Sequence, residues 1–145
     1  ILVPRIFGVD EGKKEIDMEY IEGKKLSDWL DKLGEKEEIC LEIGKQVAKM
    51  HDLDIIHGDL TTSNMILHEA KVYFVDFGLA FSSKRVEDKA VDLHLLRQAL
   101  EAKHFKHWLS LFEQVKKGYS ISKHHKSVFQ QFEKVERRGR YKSNY

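Results

Sequence analysis

The chain has 145 residues, 41% of them hydrophobic and 34% charged, which suits one domain with a modest core. It has a single cysteine, Cys40, so no internal disulfide can form, and no apolar run approaches the roughly 20 residues needed to span a bilayer. The net charge of +1 hides an asymmetry: residues 1–115 carry 16 Lys/Arg and 22 Asp/Glu, whereas residues 116–145 carry 9 Lys/Arg against Glu133 and Glu136. A cationic end on an acidic body points to an anionic partner for that end.

The opening, Ile1–Ile6, holds Pro4 and Arg5 and lacks the apolar stretch of a signal peptide. It also starts without a methionine, which leads us to expect a piece of a longer protein. Ile6–Val9 and Ile16–Ile21 read as two short strands around the turn Asp10-Glu11-Gly12. Ser27 is expected to cap a short helix containing Trp29, Leu30 and Leu33. Glu35–Leu53 reads as a long helix with Ile39, Ile43, Val47 and Met50 on one face. Residues 54–63 have no periodicity and read as a loop. Asn64–Leu67 and Val72–Val75 read as strands around the turn His68-Glu69-Ala70. Glu87–Leu100 is apolar on most sides and predicts a buried central helix. Further helices are expected near His104–Lys116 and from about Ser122, with Arg138–Tyr145 fraying. His104, His107, His124 and His125 read as surface residues because no Cys or acid completes a zinc set. Cys40 reads as inert packing.

Three elements carry the chemistry: His57-Gly58-Asp59, then Asn64 five residues after the aspartate, then Asp76-Phe77-Gly78. They follow the kinase catalytic pattern H-R-D-x-x-x-x-N and D-F-G. A transferred phosphoryl group is multiply charged and needs a divalent cation, which prefers oxygen ligands. Asn64 and Asp76 offer an amide oxygen and a carboxylate, and Asp59 is placed to orient an acceptor hydroxyl and take its proton. The hairpin from Asn64 to Asp76 returns the second ligand to the same end of the sheet. Gly78 is expected to allow a sharp turn after the metal site. His57 reads as a structural residue of the loop.

At these residues the chain resembles the protein-kinase superfamily. More narrowly, His-Gly-Asp-Leu-Thr-Thr-Ser-Asn (57–64), Val-Asp-Phe-Gly-Leu-Ala (75–80) and Glu-Asp-Lys-Ala-Val-Asp-Leu (87–93) resemble the small atypical kinases of the KEOPS/EKC complex, the PRPK or bud-site-selection kinase family. Arg137-Arg138-Gly139-Arg140 resembles the basic ending of that family. RIO kinases and aminoglycoside-type kinases share His-Gly-Asp and differ after it.

The resemblance implies an α+β, protein-kinase-like fold: a mainly helical C-lobe with the last N-lobe strands and hinge. Residues 1–23 would be the N-lobe remnant and hinge. Residues 24–145 would be the C-lobe, ending in a basic tail from about 134. It implies a serine/threonine kinase or ATPase using ATP with Mg²⁺ or Mn²⁺, in the cytoplasm and away from membranes. Met18, Glu19, Ile21, Ile66 and Val75 would form the nucleotide pocket, and Asp92 would accept bonds from the catalytic-loop backbone. The implied partners are the threonylcarbamoyltransferase subunit, to which some archaeal relatives are fused, and the other KEOPS subunits. Transfer RNA would meet Arg137, Arg138, Arg140 and Lys142, because the complex makes threonylcarbamoyl-adenosine in tRNA.

The chain departs from the general kinase pattern in three ways. The Gly-rich loop, strand lysine and partner glutamate do not occur in it. Gly58 replaces the arginine that would pair with a phosphorylated activation loop. Only Gly78–Val86 separate Asp-Phe-Gly from the next expected helix, a small platform for a peptide substrate, and Thr61 stands where protein kinases place a lysine. These departures favour ATP hydrolysis or self-phosphorylation, with Ser82 and Ser83 as candidate targets. A small-molecule phosphotransferase and a non-catalytic kinase-fold scaffold are the alternatives.

Overall fold

The computed structural model describes residues 1–142; Ser143, Asn144 and Tyr145, and the fraying expected there, lie outside the described residues. Strands β1 (Ile6–Asp10) and β2 (Glu15–Met18) pair antiparallel, with an irregularity between Ile6 and Gly8. Strand β3 (Lys24–Lys25) joins β5 (Met65–His68) and β6 (Lys71–Phe74) in a three-stranded sheet of order β3-β5-β6. The β5–β6 turn falls at Glu69 and Ala70, both with positive φ, as a tight two-residue hairpin requires. Five helices complete an α+β arrangement: α1 (Leu26–Trp29), α2 (Lys36–Asp52), α3 (Val86–Lys103), α4 (Trp108–Tyr119) and α5 (His125–Lys142).

Helix α2 matches its 3.6-residue pattern. Ile39, Ile43, Val47 and Met50 are buried, each worth roughly 1.5–3 kcal/mol of apolar transfer. They pack with Leu111 and Val115 of α4, Leu93 and Leu96 of α3, and Met65 and Phe74 of the sheet in one core. Gln46 crosses this core edge: its Oε1 accepts from Leu2 N–H at 3.0 Å and its Nε2 donates to the Val72 carbonyl at 3.2 Å. The chain's first residues are thereby tied to α2 and to β6.

Several expectations need correction. Ser27 lies inside α1, whose N-cap is Lys25 without a side-chain cap, and Leu33 lies beyond the 3-10 turn Leu30–Lys32. The segment 54–63 is not all loop: Ile55–Ile56 form β4, paired with β7 (Phe81–Ser82), so the stretch after Asp-Phe-Gly is pinned as a strand. Helix α4 begins at Trp108 because residues 104–107 close their own turn, His107 N–H to the His104 carbonyl. Helix α5 begins at His125; Ser122 precedes it and its Oγ accepts from His124 N–H at 3.1 Å. Arg138 to Lys142 remain helical, so the basic ending is the last part of α5. Helix α3 is buried or half-buried over most of its circumference, as expected, with Val91, Gln98 and Ala102 on its one open stripe. Among the described residues, no helix is long and apolar enough to cross a membrane.

Candidate active site

The loop 57–64 is built around three carbonyl and carboxylate anchors. His57 is fully buried, and its backbone N–H donates to Asp92 Oδ2 at 2.9 Å. Gly58 N–H donates to Asp92 Oδ1 at 3.0 Å. Asp92, on α3, also receives His51 Nε2 of α2 at 3.0 Å. A carboxylate that is 1% exposed needs such donors, and three of them satisfy its oxygens. The other nitrogen of His51 faces Tyr119 Oη at 2.9 Å. Burial pushes the Tyr119 phenol above its ordinary range, so it stays protonated and donates to His51 Nδ1. Sequence reasoning missed both residues. The partner of His51 lies 41 positions away and that of Tyr119 lies 68 positions away.

The tautomer of His57 follows from its contacts. Its Nδ1 accepts from Asp59 N–H at 3.2 Å, so Nε2 carries the proton and donates to the Val75 carbonyl at 3.0 Å. Phe77 lies against the same ring, 4.6 Å between centroids. One buried imidazole thus locks the aspartate loop to the residue just before Asp76.

Asp59 and Asn64 close on each other. Asn64 Nδ2 donates to the Asp59 carbonyl and to Asp59 Oδ2, both at 2.9 Å. With both amide protons engaged, the group that Asn64 has left is its acceptor, Oδ1. Its backbone carbonyl accepts Val75 N–H at 3.0 Å, which places Asn64 opposite the residue preceding Asp76. Asp76 is exposed and has φ 58, the left-handed region that a non-glycine residue occupies only when its surroundings hold it there. The expectation for Gly78 needs correction on this point. Gly78 sits in the turn that Ala80 N–H closes onto the Phe77 carbonyl, but the left-handed residue is Asp76. Gly58 is the glycine that geometry demands: its φ is +83, and a Cβ there would lie 2.3 Å from the Leu79 carbonyl oxygen. An arginine at that position has no room.

Beside Asp76 opens a largely apolar cleft of about 660 Å³, lined by Ile6, Ile16, Met18, Met50, Val75 and Gly78 among others. Met18 and Val75 of the expected pocket line it. Ile66 is half-buried in β5 opposite Tyr73, and Ile21 is buried at 8% exposure. Glu19 N–H donates to the Arg5 carbonyl at 2.8 Å, so a contact from that residue to an adenine edge would use its carbonyl.

The donor set suits a hard cation. Among the described residues no three His, Cys, Asp or Glu side chains converge on one point. One amide oxygen with one or two carboxylates fits an ion that keeps waters and phosphate oxygens as its remaining ligands, as Mg²⁺ does. Of the four histidines expected at the surface, one is not there: His104 is 1% exposed, and it contacts Thr62. Of the basic residues, Arg137, Arg138, Arg140 and Lys142 are all exposed, and Arg138 Nη2 also holds Glu87 Oε1 at 2.6 Å. Ser83 donates to Asp88 Oδ2 at 2.6 Å and accepts from Arg85 N–H, which ties it to the start of α3.

The RIO-domain family model matches residues 3–94, a span that includes His57, Asp59, Asn64, Asp76 and Asp92. A Pyrococcus abyssi protein named KEOPS complex subunit Bud32 is 46% identical over 145 residues, which cover 97% of this chain and 66% of that protein. A probable serine/threonine-protein kinase BUD32 homolog from Archaeoglobus fulgidus is 37% identical, with 96% of this chain and 68% of that protein covered. A probable bifunctional tRNA threonylcarbamoyladenosine biosynthesis protein from Methanococcus vannielii is 41% identical over 95% of this chain, which is 25% of that longer protein. The chain spans about two thirds or less of the length of most of these relatives.

Proposed function

The chain belongs to the RIO-domain family, in its Bud32 branch, and from that premise we propose that it carries the catalytic half of an atypical serine/threonine kinase or ATPase dependent on ATP and Mg²⁺. It would serve as a subunit of the KEOPS complex in the cytoplasm, supporting threonylcarbamoyl-adenosine formation in tRNA beside the threonylcarbamoyltransferase subunit. Residues 1–23 act as the end of an N-lobe and hinge, and residues 24–145 as the C-lobe.

The observation that carries this reading is the double hydrogen bond from Asn64 Nδ2 to Asp59. It fixes a base and a metal ligand in one rigid unit, with an amide oxygen and a carboxylate oxygen left to act. Asn64 Oδ1 and the Asp76 carboxylate would hold the cation, which with ATP bound neutralises charge on the transferred phosphoryl group. Asp59 orients the attacking hydroxyl, of water or of an acceptor, and takes its proton. Met18 and Val75 line the apolar cleft that an adenine would occupy. Arg137, Arg138, Arg140 and Lys142 offer charge to tRNA phosphates.

The test is Mg²⁺-dependent ATP hydrolysis by the full-length protein with its complex partners. Asp59→Asn is expected to lower kcat by about 100-fold or more, and Asp76→Ala to abolish Mg²⁺-dependent hydrolysis. Turnover that survives both substitutions would overturn the catalytic roles and leave the scaffold reading.

A further inference from the structure

We propose that His104 is a positioning residue for the metal-binding turn, acting through Thr62; this rests on the functional reading above. Thr62 opens the 3-10 turn Thr62–Asn64 and is fully buried. A hydroxyl buried to that degree needs a partner, and His104 Nε2 lies 3.1 Å from its Oγ1. His104 comes from the link after α3, where its backbone N–H is held by the Leu100 carbonyl at 2.8 Å. The ring is therefore anchored independently of the loop it touches.

Asp31, on the 3-10 turn Leu30–Lys32, decides which nitrogen carries the proton. Its Oδ2 lies 3.2 Å from His104 Nδ1, within ion-pair range but too far out of line to count as a hydrogen bond. A lone pair facing that carboxylate would be repelled, so Nδ1 is protonated and Nε2 accepts from the Thr62 hydroxyl. The consequence reaches the site in two steps. The turn that begins at Thr62 ends at Asn64, and Asn64 in turn grips Asp59. A turn released at Thr62 lets the Asn64 amide oxygen and the Asp59 carboxylate drift together. Displacements near 1 Å cost on the order of 100-fold in well-oriented reactions.

The experiment uses the full-length protein and an isosteric change, Thr62→Val, which removes the hydroxyl and keeps the buried volume. In the nucleotide-free protein, the side-chain ¹⁵N resonances of His104 should report a protonated Nδ1 and a hydrogen-bonded Nε2. The Nε2 resonance should move to that of a free acceptor in Thr62→Val. The Mg²⁺ concentration giving half-maximal ATP hydrolysis should rise roughly tenfold in Thr62→Val, the scale typical of lost outer-shell support, and kcat at saturating Mg²⁺ should fall as well, because Asp59 shifts with Asn64. His104→Gln, whose amide reaches the Nε2 position, should restore most of the Mg²⁺ affinity that His104→Leu loses. Should His104→Leu not fold, Thr62→Val decides alone. An unmoved Nε2 resonance and an unmoved Mg²⁺ dependence in Thr62→Val would overturn the positioning role while ATP hydrolysis stands. Absence of ATP hydrolysis in the wild-type protein would overturn the functional reading, and this role with it.

Discussion

Lys89 sits on α3 with 2% of its side chain exposed, and its ammonium donates to Asp54 Oδ1 at 3.0 Å. A cation this buried depends on its carboxylate, because removing one partner leaves an uncompensated charge. The reciprocal effect is visible at Asp54: the hydrogen bond from Lys89 holds its carboxyl below the ordinary value of 3.8. A carboxyl with a depressed native pKa adds stability above its unfolded value, and that stability is lost as pH falls through the native value. Asp54→Asn isolates this charge, since asparagine tolerates the left-handed backbone found there, φ 59. We expect Asp54→Asn to lower the urea midpoint at pH 7. The gap from the wild-type protein should close as the pH is taken below 3.8, as urea titrations across pH would measure. Nothing near Lys89 in sequence signals its burial; its neighbours Glu87 and Asp88 suggest an exposed face, and its partner is 35 positions away. Cys40 is the opposite case. An apolar helix face implied inert packing, and burial does push its thiol up to about 12.

At the scale of elements, α2 and α4 cross where each presents a glycine. A Cβ on Gly44 would lie 2.0 Å from the Val115 carbonyl oxygen, and one on Gly118 would lie 2.0 Å from that of Leu41. In isolation a mid-helix glycine is only a cost to helix stability. The crossing supplies the reason for both, and it also brings Tyr119, next to Gly118, onto His51. Gly118→Ala should destabilise the protein by about 3 kcal/mol in chemical denaturation, the upper part of the range for overpacking. Gly44→Ala added to it should cost less than a second full increment, since one separation of the two helices relieves both clashes. The helix bounds themselves were readable wherever one apolar face persists, as in α2. They slipped at α1, α4 and α5, where tertiary turns around Lys25, His104 and Ser122 decide the start.

Across the whole molecule the charge is split between an acidic body and α5, and α5 is fastened to α3 by acidic clamps. Glu136 Oε1 receives His94 Nδ1 at 2.6 Å and Arg97 Nε at 2.8 Å, while Glu87 receives Arg138 and Gln131. These clamps orient a helix whose exposed cations include Arg137, Arg140 and Lys142. On the proposed role in tRNA contact, replacing those three by alanine should weaken tRNA binding. It should also flatten the slope of log affinity against log salt by about 2–3, roughly one per phosphate released. Arg138→Ala should change the slope less, because its charge already serves Glu87. Binding titrations at several salt concentrations measure both, and an unchanged slope in the triple variant would remove α5 as the contact.

What the amino-acid order settled by itself is local: the periodicity of α2, the hairpin turn at Glu69-Ala70, and the spacing of Asp59, Asn64 and Asp76 along one loop and hairpin. These depend on neighbours a few positions apart, whose relative placement the backbone dictates. Only the tertiary structure decided the His51 contact of Asp92, the buried partners of Lys89 and Thr62, the left-handed Asp76, the exclusion of a side chain at Gly58, and the glycine crossing of α2 with α4. Each of these needs groups from separate elements to meet in a space already closed to water, and no local pattern encodes that meeting.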